Sequence, residues 1–132
     1  MTTEYVDALI KAFPCISEIW LFGSRANGSP RPDSDWDYLV YSDDERLMNA
    51  LCRDDRFHRS DIDTFVVSGH YAYRPWPDPD GYHRKLRLDT NEECDGCHWH
   101  AIGSSSAATY LDANDQPARA RLVHRRGDPD SV

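Results

Sequence analysis

The stretches LFGSRANG at positions 21–28 and SDWDYLV at positions 34–40 decide the fold of this chain. The first stretch ends a run of β-forming residues, 16–22, which breaks off abruptly at a glycine. The second stretch opens another run with strand character, and two prolines mark the intervening residues, 29–34, as a loop. The sequence therefore predicts two strands joined by a polar loop.

Two aspartates lie at the start of the second predicted strand. Asp35 and Asp37 are two residues apart, so their side chains point to one face of a sheet. Trp36 and Tyr38 then point to the opposite face, where they can pack on helices. Two carboxylates on one face repel each other unless a cation lies between them, and Mg²⁺ binds one or two carboxylates together with phosphate oxygens. A solvated strand edge is the alternative interpretation of this pair taken alone.

A third aspartate belongs to the next apolar strand, predicted over 62–67. Asp63 is flanked by Ile62 and Phe65, and a charged side chain inside such a run needs a partner. Asp61 lies two residues earlier on the same face and is the alternative. Asp63 is favoured because the apolar run continues beyond it. Beside the first pair, it completes a predicted site of three carboxylates.

A phosphate-binding loop is predicted directly after the first strand. Gly23 lets the backbone approach a phosphate closely, and Ser24 offers a hydroxyl and a backbone N–H. Arg25 either contacts phosphate or is a surface residue of the loop. A phosphate site beside a metal site is what phosphoryl transfer requires, because the protein mainly positions groups and neutralises charge.

These motifs resemble a known family. The pattern FGSRAxG, with ten residues from Arg25 to Ser34 and then DxD, is similar to the signature of the DNA polymerase β-like nucleotidyltransferase superfamily, in particular the minimal nucleotidyltransferases. The resemblance covers residues 4–68, about half of the chain. It implies a reaction that moves a nucleoside monophosphate from a nucleoside triphosphate to an acceptor and releases pyrophosphate.

The resemblance also implies roles for individual residues. Gly23 and Ser24 hold the triphosphate, with Arg25 as a further candidate for nucleotide binding. Asp35 and Asp37 bind two Mg²⁺ ions. Asp63 helps to bind the catalytic metal and serves as general base toward the attacking hydroxyl, so that all three aspartates are the candidate catalytic residues.

The remaining patterns predict an α+β domain, α/β-like in its first half. Apolar residues at positions 6, 9, 10 and 13 have helical spacing, and a second helix is expected to end at Leu51. We expect a small mixed β-sheet flanked by helices, with the polymerase β-type nucleotidyltransferase fold. Residues 71–81 are expected to be irregular or an edge strand, and residues 109–124 to form a hairpin in a C-terminal extension. The whole chain, 1–132, is interpreted as one domain, with the motifs in 1–69 and a family-divergent part in 70–132.

Composition restricts the partners. The 132 residues include 15 basic and 23 acidic side chains, for a formal net charge of -8. Binding to long nucleic acid is disfavoured, because such affinity comes from lysine and arginine on phosphates. The sequence contains no run approaching a membrane span of about 20 apolar residues, and its first residues lack the basic character of a signal peptide. We therefore expect a cytoplasmic protein without membrane contacts. A homo-oligomer is left open.

A cysteine–histidine cluster, CDGCHWH at positions 94–100, is the second notable motif. Cys94 and Cys97 have the spacing of a zinc knuckle, and His98 or His100 would add a ligand. A structural Zn²⁺ is one interpretation. The other is two thiols in a turn, with the histidines on a strand surface.

Three functional hypotheses follow. The first is an Mg²⁺-dependent enzyme that nucleotidylates a protein or small-molecule acceptor, in a toxin–antitoxin or mobile-element setting where the partner is a small helical toxin. The second is a binding module, an antitoxin or regulator that keeps the fold with little or no catalysis. The third is an aminoglycoside-type nucleotidyltransferase. Such enzymes generally carry an added helical domain, for which this chain is too short unless a dimer completes the site.

Overall fold

The computed structural model describes residues 2–23, 25–26, 35–69, 71–87, 98–101, 107–111 and 117–127. Two α-helices, one 3₁₀ turn and eight strands lie within these ranges. In chain order they are α1 Thr2–Ala12, β1 Ile16–Phe22, β2 Trp36–Ser42, α2 Leu47–Cys52, the 3₁₀ turn Asp55–Phe57, β3 Ile62–Ser68, β4 Tyr71–Tyr73, β5 Lys85–Arg87, β6 His98–Ala101, β7 Ala107–Leu111 and β8 Pro117–Arg125.

All eight strands belong to one mixed sheet with the order β5-β4-β3-β2-β1-β8-β7-β6. Only β2 and β3 are parallel, because the chain returns between them through α2 and the 3₁₀ turn. The fold is thus α+β, as predicted, but the prediction of a small sheet was wrong. The sheet is larger because strands from the C-terminal half extend it at both edges.

Both helices pack on one face of the sheet. Val6 and Leu9 of α1 and Leu47 and Leu51 of α2 belong to a single buried cluster with alternate residues of β1, β2 and β3. This is the apolar stripe that the helical spacing predicts. The predicted arrangement of helices flanking the sheet is therefore one-sided in the part of the chain that the structure describes.

A second buried cluster lies on the opposite face of the sheet. Its members are Trp20, Phe22, Leu39, Phe65, Ala72 and Ala120. The edge strands β5 and β6 approach each other, so the sheet is curled. We call the face that carries this second cluster the inner face. Asp37 and Asp63 alternate with the residues of the helix-covered face and therefore lie on this inner face.

The C-terminal strand β8 is not an appendage. It lies between β1 and β7 and pairs antiparallel with both, so it covers the edge of β1 that β2 leaves open. Residues 112–116, where the sequence predicts the hairpin turn, lie outside the described residues. Residues 71–73 form β4, an interior strand between β3 and β5, so the prediction of an irregular segment or edge strand was wrong for these three residues. Residues 74–81 are irregular, as predicted.

Of the helices within the described residues, neither has the length and apolar character needed to cross a membrane.

Candidate active site

The three predicted carboxylates gather where β2 and β3 begin. Asp37 and Asp63 are direct neighbours in the parallel pairing of these strands. Asp35 immediately precedes β2 and is exposed. The backbone N–H of Trp36 donates to the carbonyl of Asp61 at 3.0 Å, which aligns the starts of the two strands. The sheet thereby brings together residues that are 26 positions apart in the chain.

The structure distinguishes between the two candidates for the third carboxylate. The side chain of Asp63 is 15% exposed, whereas that of Asp61 is 60% exposed. Asp61 lies in the turn before β3, and its carboxylate is 3.6 Å from Arg59 Nε. Asp63 is thus the residue that the structure places beside Asp37.

Gly23 closes this site from the end of β1. Its φ is +76°, in the left-handed region that glycine adopts without strain. A Cβ at this position would collide with Asp37 Oδ2 and would lie 3.2 Å from Asp37 Cγ. Only glycine lets the loop after β1 approach the Asp37 carboxylate this closely. Ser24, its predicted partner in phosphate binding, lies outside the described residues.

The electrostatics of the site centre on Asp37. Burial and, to a smaller extent, the negative charges of Asp63 and Asp35 together raise the pKa of Asp37 from its ordinary value of 3.8 to about 7. Arg84 lowers this pKa, but its effect is the weakest of the four. The ionised form of Asp37 is therefore unfavourable unless a positive charge joins it. A partly buried carboxylate with a strongly shifted pKa beside other acids is typical of a functional site.

Two arginines that sequence reasoning missed contact Asp63. Arg84 Nη2 lies 3.0 Å from Asp63 Oδ1, and Arg74 Nε lies 3.5 Å from the same oxygen. Both come from the proline-rich segment that joins β4 to β5. No periodicity or spacing in the sequence predicts that these arginines contact Asp63, because the contacts depend on how this segment folds back over β3.

Comparison with known protein families found a match. Residues 3–57 match the family model described as a nucleotidyltransferase domain. This segment is similar to nucleotidyltransferase domains and makes up less than half of the chain. The predicted resemblance is confirmed for this segment, which contains Gly23, Asp35 and Asp37 and ends before Asp63. No curated protein matches the chain.

Arg25 occupies a different position from the carboxylates of the candidate site. Its Cζ atom lies 4.6 Å from the ring centroid of Trp36, in a cation–π arrangement. Trp36 packs on the helix-covered face, opposite to Asp37. A contact of Arg25 with a nucleotide phosphate stays a prediction.

The three carboxylates of the candidate site are suitable ligands for magnesium. Carboxylate oxygens are the ligands that Mg²⁺ prefers. The raised pKa of Asp37 is caused first by burial and then by the negative charges of Asp63 and Asp35, and a bound divalent cation would offset both effects. In the described part of the chain, no three histidine, cysteine or acidic side chains are already arranged to hold a metal ion. Asp35, Asp37 and Asp63 as magnesium ligands stay a prediction.

The predicted zinc site falls mostly outside what the structure describes. Cys94 and Cys97 lie outside the described residues, and His98 and His100 lie on β6, where only the backbone is described. Cys15 and Cys52 are free thiols. The structural Zn²⁺ stays a prediction, which metal analysis of the purified protein decides.

Proposed function

We propose that the protein is an Mg²⁺-dependent nucleotidyltransferase that transfers a nucleoside monophosphate from a nucleoside triphosphate to a hydroxyl group of a protein or small molecule. The observation that carries this proposal is the placement of Asp37 beside Asp63, on parallel strands, against the glycine loop that follows β1. The match of residues 3–57 to the nucleotidyltransferase domain supports the same reaction class.

The proposed reaction assigns each residue a task. Asp35, Asp37 and Asp63 would hold magnesium, which when bound would neutralise the phosphates and the charge that develops on the leaving group. Gly23 and Ser24 bind the triphosphate. Asp63 accepts the proton of the attacking hydroxyl, whose oxygen forms a bond to the α-phosphorus. The bond between the α-phosphorus and the oxygen bridging to the β-phosphorus breaks, and pyrophosphate leaves with that electron pair.

The biological setting proposed for this reaction is a toxin–antitoxin pair or a mobile element, with a small helical toxin as one acceptor. The net charge of -8 favours a protein or a small molecule over a long nucleic acid.

A second candidate function is a binding module that keeps the fold without catalysis. The observation in its favour is the pairing of Asp63 with two arginines, Arg74 and Arg84, which neutralise the residue proposed as general base. The two functions differ in one measurable property, because only the enzyme must bind a nucleoside triphosphate together with Mg²⁺.

Titration calorimetry with each of the four nucleoside triphosphates, with and without Mg²⁺, tests the proposal. We expect micromolar binding of at least one triphosphate that requires Mg²⁺. The double variant Asp35→Asn, Asp37→Asn should lose this binding and stay folded. Asp61→Asn is the matched control, because Asp61 is an aspartate of the same region whose side chain is 60% exposed and outside the site. Absence of binding to all four triphosphates would leave the binding module as the better description.

A further inference from the structure

The segment between β4 and β5 is built to present two guanidinium groups to Asp63. The backbone N–H of Arg74 donates to the carbonyl of Arg84 at 2.8 Å, so the two arginines lie at the base of one closed loop. Asp78, within this loop, pairs with both: its Oδ1 is 3.3 Å from Arg74 Nη1 and 3.7 Å from Arg84 Nε. Both arginines therefore contact the Asp63 carboxylate from one loop, which is stabilised by its own ion pairs and backbone hydrogen bond.

The two arginines differ in how firmly they are held. The side chain of Arg74 is 11% exposed, and its Nη2 also lies 3.4 Å from His58 Nε2. The His58 ring stacks on buried Trp76, with centroids 5.1 Å apart and planes at 3°. The side chain of Arg84, in contrast, is 44% exposed. Arg74 is thus a fixed partner of Asp63, whereas Arg84 can leave without exposing a buried charge.

The pairing with Arg84 conflicts with the role proposed for Asp63. A carboxylate oxygen that accepts a guanidinium N–H is not free to bind a divalent cation in the same direction. This agrees with the lack, among the described side chains, of three ligands already arranged for a metal. When Asp63 becomes a magnesium ligand, the guanidinium of Arg84 needs another anion within reach.

We propose that Arg84 is a nucleotide-binding residue that exchanges Asp63 for a phosphate oxygen of the triphosphate. The inference rests on the proposed function and adds a regulation of the same site. Without nucleotide, the ion pair holds Asp63 and weakens its binding of Mg²⁺ alone. With nucleotide, Asp63 turns to the metal and Arg84 binds phosphate, for which a guanidinium is well suited because it donates two parallel hydrogen bonds.

The exchange predicts opposite effects of one substitution on two affinities. In Arg84→Gln, Asp63 loses its competing partner, so Mg²⁺ alone should bind more tightly than to the unchanged protein. The same variant lacks the phosphate contact, so the triphosphate should bind about tenfold more weakly in the presence of Mg²⁺, the loss of one charge-assisted hydrogen bond. A residue with a merely structural role would lower both affinities together.

The test uses the full chain and two readouts besides activity. Mn²⁺ without nucleotide, followed by electron paramagnetic resonance, reports metal affinity, and calorimetry with Mg²⁺ and the preferred triphosphate reports nucleotide affinity. Arg84→Lys keeps the charge but not the two-pronged geometry and should fall between the unchanged protein and Arg84→Gln in both. Arg46→Gln is the control, because Arg46 also pairs with an aspartate, Asp44, while its side chain is 85% exposed and away from the site. Thermal unfolding verifies that each variant is folded.

The outcomes separate the inference from the function on which it rests. Tighter metal binding together with weaker nucleotide binding in Arg84→Gln supports the exchange. Unchanged nucleotide affinity, or a parallel loss of both affinities, overturns it while the nucleotidyltransferase proposal stands. If the unchanged protein binds no triphosphate, the proposed function itself is wrong and the exchange falls with it.

Discussion

At the scale of single residues, ionised Asp37 lowers the free energy of unfolding of the metal-free protein. Its pKa of about 7 means that the folded protein holds this proton more tightly than the unfolded chain, where the ordinary value is 3.8. The free energy of unfolding therefore falls as pH rises between about 4 and 7, since the folded state must give up a proton that it binds well. This cost in stability is fully present at pH 8 and absent at acidic pH.

Asp37→Asn should remove this cost. In metal-free protein at pH 8, we expect the variant to be more stable by roughly 1–3 kcal/mol, below the limit of about 4 kcal/mol that the pKa shift implies. The gain should shrink to nothing below about pH 3, where Asp37 is protonated in both the folded and the unfolded state. Denaturant unfolding of both proteins across this pH range measures the effect. A loss of stability at pH 8, or a gain that does not depend on pH, would contradict the electrostatic explanation.

Gly23 is required for a different reason, which is steric. Gly23→Ala should destabilise the protein by roughly 2–4 kcal/mol, because it combines a strained positive φ with a collision against Asp37. Gly69→Ala is the matched control. Gly69 has a φ of +64° but nothing within 4 Å of the added Cβ, so this variant carries the backbone strain alone. The difference in free energy of unfolding between the two variants, measured by chemical denaturation, gives the contribution of the collision with Asp37. Equal losses of stability would show that this contact does not matter.

The aspartates illustrate what a sequence reveals about a site. Asp35, Asp37 and Asp63 could be placed together because strand alternation and the apolar run around Asp63 are local patterns. Arg74 and Arg84 could not, since their contact with Asp63 depends on a loop whose conformation is set by its own backbone hydrogen bonds. The charge balance of the site was therefore beyond the reach of sequence reasoning.

At the scale of elements, Tyr5 anchors α1 to the strand that carries Asp63. Its hydroxyl donates to the Phe57 carbonyl at 3.0 Å and shares a 2.7 Å hydrogen bond with Thr64 Oγ1, the next residue along β3 after Asp63. Burial raises the pKa of Tyr5 to about 12, so the hydroxyl stays protonated at neutral pH. Thr64 therefore faces α1 on one side of β3, while its neighbour Asp63 faces the site on the other side.

Tyr5→Phe should cost roughly 1–3 kcal/mol of stability, because it leaves the buried Thr64 hydroxyl and the Phe57 carbonyl without this partner. Thermal or denaturant unfolding gives the value. Tyr82→Phe is the control, since Tyr82 is 54% exposed and should change stability by less than about 0.5 kcal/mol. Similar small changes in both variants would mean that the Tyr5 hydrogen bonds contribute little.

Local sequence patterns predict some of the secondary-structure elements but not the pairing of distant strands. Helix α1 and strands β1 to β3 follow from periodicity in short windows, and they agree with the sequence predictions to within a residue or two. The interior position of β4 and the insertion of β8 beside β1 do not, because they are pairings between distant segments. Each such pairing depends on which strand edges remain open once the others have paired.

At the scale of the whole molecule, one sheet joins the motif-bearing half to the divergent half. The loop after β1 belongs to the site, and β1 is held from its other edge by β8, near the C-terminus. Ala120 of β8 is buried in the cluster on the inner face, which also contains Phe22 and Phe65. The residues around the carboxylates therefore depend on the last described strand of the chain.

Removal of residues 112–132 should consequently abolish cooperative folding, although the motifs and the segment matched by the nucleotidyltransferase domain, 3–57, are intact. The deletion leaves β1 as an exposed apolar edge and opens the inner cluster, so we expect loss of a sharp thermal transition and a tendency to aggregate. Removal of residues 128–132 alone is the control and should leave the transition in place, because β8 ends at Arg125. Circular dichroism melting compares the two deletions. A shortened chain that still unfolds cooperatively and binds a triphosphate with Mg²⁺ would mean that 1–111 is an independent domain and that the single-domain interpretation of residues 1–132 is wrong.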